Sequence, residues 1–161
     1  MLISLGGYHI WSSHASHSTG SATGASTNGQ PPKLTKGTPP YHTMLPAGKT
    51  IEQLGGWTRI SPPDRDPAYA YVDHIGAVQV DVSEQPLPAN FEHDTASQIA
   101  QLAAGFNATD TLTAGSLVAY IGTSAKGPQS VIFAKGNLLI LIKSGAVVPN
   151  DQWAAYLESL R

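Results

Sequence analysis

The chain contains no cysteine. That removes thiol nucleophiles, Cys-ligated zinc and iron–sulfur clusters from consideration, while leaving the redox compartment open, since exported proteins also lack Cys. Charge is scarce too: 12% of the 161 residues are Asp, Glu, Lys or Arg, about half the share usual in globular domains. The 9 Lys+Arg and 11 Asp+Glu are spread thinly and give a formal net charge of −2. No basic stripe exists to follow a phosphate backbone, so no nucleic acid is expected as a partner.

Long apolar runs are missing as well. Residues 1–11, MLISLGGYHIW, are apolar apart from Ser4 and His9, but about 20 residues are needed to cross a bilayer core. A secretory signal needs a basic start, and no Lys or Arg precedes Lys33. Tyr8 and Trp11 stand where an interfacial aromatic belt would stand, and the tract after them carries no positive charge. Two readings stay open: the exit end of a membrane anchor that begins upstream, or an apolar N-terminus with no membrane role. Residues 12–43 are dominated by Ser, Thr, Gly, Ala and Pro, with the pairs Pro31-Pro32 and Pro39-Pro40. Such a segment buries too little to offset its ordering entropy and reads as a disordered linker, stiffened by polyproline II geometry near its end. His9, His14 and His17 fall outside any folded scaffold and are expected to be surface histidines rather than metal ligands.

What is present begins to organise at residues 44–161. The centre is PQSVIFAKGNLLILIK, residues 128–143, where two apolar runs meet across Lys135-Gly136-Asn137, a turn able to adopt positive φ. Further strands are expected at 57–60, 68–72, 77–82 and 117–121; in 77–82, Val78, Val80 and Val82 face one way and Gln79 and Asp81 the other. A Pro-punctuated loop at 84–90 follows. Helices are expected at 95–105, opened by a capping box from Thr95 with Asp94 adding charge, and at 151–160, capped by Asn150 or Asp151. Ile99, Leu102, Ala103 and Phe106 give the first its apolar stripe, and Trp153, Tyr156, Leu157 and Leu160 the second. The expected fold is α+β: a mainly antiparallel sheet of about five to six strands packed against two amphipathic helices. Both helices are expected on one face, with Trp57 and the segment before it covering the other.

Catalysis requires groups that converge, and the candidates are Asp73, His74, Asp81, Glu84, His93 and Asp94. They form no motif. No Ser sits in a nucleophile elbow, and residues 122–127, GTSAKG, lack the order and the following helix of a phosphate-binding loop, so a hairpin loop is expected there. Asn107-Ala108-Thr109 has the form of a glycosylation sequon, with meaning only in a host that glycosylates exported proteins. No catalytic residue, metal site or cofactor is assigned.

The stretches GGWTRISPP, VSEQPLP, YIGTSAKGPQSVIF and LLILIKS resemble those of membrane-anchored hypothetical proteins from small-genome candidate-phylum bacteria, over about residues 46–160. That resemblance implies no particular activity. More distantly, a strand-rich core closed by a helix ending in Glu158-Ser159-Leu160 is similar to PsbP-like and related lipoprotein domains, which implies an accessory or binding module. The expectation is therefore a non-catalytic extracytoplasmic module, membrane-anchored through its N-terminus on the extracytoplasmic face in the cell envelope, that binds or supports an envelope protein or ligand. The alternative is a hydrolase using carboxylates or His around loop 84–90, which requires Asp73, His74, Glu84, His93 and Asp94 to meet in one cleft.

Overall fold

The computed structural model describes residues 34–161; the expected anchor end at 1–11 and linker residues 12–33 lie outside the described residues. In chain order the elements are β1 (Thr35–Lys36), β2 (Thr58–Arg59), β3 (Tyr69–Ile75), β4 (Val78–Pro86), a 3-10 turn (Ala89–Phe91), α1 (Thr95–Ala104), β5 (Asp110–Ala114), β6 (Leu117–Thr123), β7 (Gln129–Lys135), β8 (Leu138–Ser144) and α2 (Asn150–Ser159). All eight strands join one sheet in the order β1-β2-β3-β4-β8-β7-β6-β5, antiparallel at every pairing.

Period-two patterning builds this sheet. Along β3, Tyr69, Tyr71, Asp73 and Ile75 are buried while Val72 and His74 on the other side are exposed. Along β4 the Val80, Val82, Glu84 series is buried and Asp81 is exposed. In β8, Leu138 to Ile142 is buried without a break, because both faces of this central strand are covered. Gly136 and Asn137 between β7 and β8 have φ of 55° and 62°, the left-handed pair that a two-residue hairpin turn needs.

One face packs Val80, Val82, Val131, Phe133, Ile140 and Ile142 against Trp153, Leu157 and Leu160 of α2 and against Met44, Leu54 and Trp57. The opposite face packs Ile132, Leu139 and Leu141 against Phe91 and the Ile99–Ala103 stripe of α1. Besides the Tyr156–Asp73 bond, two groups on β7 fasten the α2 region by polar contacts. Gln129 Oε1 accepts from Val148 N at 2.7 Å and from Trp153 Nε1 at 2.9 Å, and Lys135 Nζ donates to the carbonyls of Leu157 and Leu160 at the end of α2.

Several expectations need correction. The structure is mostly β: an eight-stranded sheet with only two short helices, in place of five to six strands against two amphipathic helices. The extra strands are β1, two exposed residues paired to β2, and β5, whose Asp-Thr-Leu-Thr-Ala sequence buries only Leu112 and Ala114. Neither carries enough apolar surface to announce itself. The helices lie on opposite faces, and Trp57 shares its face with α2. Residues 34–43, expected as linker, contribute β1 and the half-buried Tyr41 to the fold. The cap of α1 is Asp94, which accepts from Ser97 N at 3.3 Å, and not Thr95, whose hydroxyl donates to Phe91 O. Asn150 and Asp151 fall inside α2, whose N-cap is Pro149.

Candidate functional site

Placement on β3 and β4 separates the candidate residues. Adjacent residues on a strand point to opposite faces, so Asp73 is buried at 4% exposure on the α2 face while His74 stands exposed on the other. Asp81 shares the side of His74 and accepts from Gln79 Nε2 at 3.1 Å. His93 and Asp94 are exposed at the start of α1, on the face opposite Asp73 and Glu84. The five residues required by a hydrolase do not share a cleft. Residues 122–127 close the β6–β7 hairpin, where Ser124 N donates to Pro128 O, and there Gly122 lets the segment at Asn107 cross: a Cβ would lie 2.1 Å from Asn107 O.

What the structure does bring together is Asp73 and Glu84, under a strap formed by residues 41–47. The strap crosses the α2 face and pairs with the end of the chain, Leu45 and Arg161 exchanging two backbone hydrogen bonds of 2.9 Å and Ala47 N donating to Ser159 O at 2.8 Å. Met44 is pushed down onto the β7–β8 turn so closely that a Cβ on Gly136 would sit 2.2 Å from its Cε. Polar groups then hold the strap from below. Tyr41 donates its hydroxyl proton to the backbone carbonyl of Glu84 at 2.6 Å, and Met44 N donates to Glu84 Oε2 at 3.1 Å. Tyr71 donates to Met44 O at 3.4 Å and lies within hydrogen-bonding reach of Tyr156, which donates to Asp73 Oδ2 at 3.2 Å. Asp73 Oδ1 completes the line by pairing with Lys49 Nζ at 2.5 Å.

The electrostatics of this line are uneven. Asp73 has a cation and a hydroxyl on its two oxygens. Glu84 is 1% exposed, and its Oε1 is buried with no hydrogen-bond partner. Burial outweighs the single donation from Met44 N and pushes the Glu84 carboxyl up to about 7. Tyr41, Tyr71 and Tyr156 are all driven upward, first by burial and then by the neighbouring carboxylates or phenols, and remain neutral donors.

On its outer side the strap borders a shallow, open depression of about 520 Å³, lined by His42, Thr43, Lys49 and Arg161 among others. It contains cations but no acid–base pair, and Lys49 is already engaged by Asp73. Among the described residues no group of three or more His, Asp or Glu is placed to hold a metal ion. No described helix is long and apolar enough to cross a membrane.

The chain matches no protein-family model, no curated protein and no solved structure. Sequence reasoning missed Lys49, Tyr71 and Tyr156, which carry no motif. A signal did exist for Glu84: the Val78, Val80, Val82 alternation, continued by one step, places it on the buried face. Pro86 and Pro88 suggest a strand end before it, yet β4 runs through Pro86, which pairs with Leu138.

Proposed function

We propose that this chain is a non-catalytic extracytoplasmic module, held near the membrane through its N-terminal side, that binds or supports a component of the cell envelope. The observation that carries this reading is the use made of the two buried carboxylates. Asp73 and Glu84 both fasten residues 41–49, the segment by which the chain enters the domain, and neither faces an open cleft. A domain whose acidic groups are spent on gripping its own entry segment is suited to hanging on what precedes it. The exposed half of the α1 face, with Val72, His74 and Asp81, offers a surface for the supported component.

The test is made in the native cell. Membrane fractionation and protease accessibility from the outer side locate the chain, and a photo-crosslinking residue at Val72 is compared with one at Val118, which is exposed elsewhere. The expected result is an outward-facing, membrane-associated chain with a discrete adduct from position 72 alone. Recovery in the cytoplasmic fraction with no adduct overturns the proposal.

A further inference from the structure

Among the described residues the one buried side-chain oxygen without a hydrogen-bond partner is Oε1 of Glu84, whose neighbours lie on the sheet and on the strap. From β3 it faces Tyr69, its cross-strand neighbour, and Tyr71; from β8 it faces Ile140, which cannot titrate. From the strap it meets Met44 N and Tyr41, with Arg59 of β2 acting on Tyr41. From α2 the nearest titratable group is Tyr156, reached through Tyr71, and beyond it lies the Asp73–Lys49 pair. None of these contacts supplies a cation to Glu84. Ionised, it would be a buried carboxylate with one donor on Oε2 and nothing on Oε1. Such a charge is relieved by admitting water. Of the elements covering it, the strap can leave without breaking a strand pairing of β3, β4 or β8: its polar ties are the bonds to Glu84, Tyr71, Ser159 and Arg161, and its apolar ones are Met44 in the core and the edge-on contact of Tyr41 with Tyr69.

We infer that residues 41–47 form a proton-controlled latch: with Glu84 neutral the strap stays docked across the sheet, and with Glu84 ionised it lifts off while the sheet beneath remains folded. The direction follows from linkage. In the docked state the carboxyl is raised to about 7, whereas under an open strap it is solvated and returns toward the ordinary value of 4.5. The open fraction therefore grows as pH rises between those two values and levels off above the higher one, with a limiting slope of about tenfold per pH unit. This inference does not depend on the location or partner of the chain.

Hydrogen exchange on the full chain, read as protection factors that divide out intrinsic exchange, tests it between pH 5 and pH 8. Amides of Met44, Leu45 and Ala47, which donate to Glu84, Arg161 and Ser159, are expected to lose protection by about two orders of magnitude in total. Amides inside β7 and β8 keep theirs. E84Q, neutral at every pH, is expected to hold strap protection flat, and H42N, altering the exposed imidazole beside Tyr41, to follow the unmodified chain. Y41F removes the bond to the Glu84 carbonyl and is expected to lower strap protection at all pH values without changing the slope. Carbon-13 detection of the Glu84 carboxyl in the unmodified chain gives the titration independently of any variant. A strap whose protection ignores pH, an E84Q chain with the same slope, or strap and β7–β8 amides opening together each overturns the latch.

Discussion

Ile140 and Gln79 lie at opposite extremes of burial: Ile140 is 0% exposed between α2 and β4, and Gln79 points to solvent. Ile140→Ala is expected to cost about 2–5 kcal/mol through lost transfer energy and a residual cavity, and Gln79→Ala under about 0.5 kcal/mol; urea titration of both variants checks the contrast. Glu84 adds a pH dependence at the same scale. Its carboxyl binds a proton more tightly in the folded chain than in the unfolded one. Its contribution is fully present below the unfolded value of 4.5 and is lost as pH rises through about 7. The loss is roughly 3 kcal/mol, since each tenfold change in proton affinity is worth about 1.4 kcal/mol. Unfolding free energies from urea titrations between pH 5 and pH 8 should fall by up to that amount, the fall stopping at the cost of opening the strap, and E84Q should remove it.

At the scale of elements, α2 is fastened to the sheet by apolar packing, by Lys135 and Asp73 on β7 and β3, and by the Gln129 amide. Gln129 accepts from the Trp153 indole and Val148 N and donates to Thr123 Oγ1, while its own backbone N–H is taken by Ser144 Oγ. Gln129→Leu keeps the volume but strands two buried donors, at about 1–3 kcal/mol each. The expected result is a loss of about 2–6 kcal/mol in urea with a weakened near-ultraviolet signal from Trp153. The elements legible in sequence were those with period or an unbroken apolar run: β3, β4 and both helices carry apolar residues at spacing two or at three and four, β7 and β8 are continuous apolar runs, and short runs also marked β2 and β6. β5 escaped because Thr111 and Thr113 flank Leu112 without contrast, and β1 because two residues have no period. The strap was unreadable for a different reason. Its partners, Glu84, Tyr71 and Arg161, are distant in sequence, and no local rule couples Met44 to any of them.

Over the whole molecule, the strand pairings fall into two groups. β3–β4 and the β5–β6–β7–β8 meander join neighbours in sequence, β4–β8 bridges the segment containing α1, and the strap pairs with residues more than a hundred positions away. Closing the longest loop first wins fewest contacts for the largest entropy loss. The order of assembly should therefore run from the β7–β8 hairpin outward, with β4 joining once the meander exists and the strap last, after α2 has brought Arg161 into position. Rapid-mixing folding experiments can read this order: Phe133→Ala should slow folding, whereas Met44→Ala should mainly speed unfolding, with a φ-value close to zero. A newly made chain would then pass through a stage in which every strand from β2 to β8 is in register and the groove over Glu84 is still open to water.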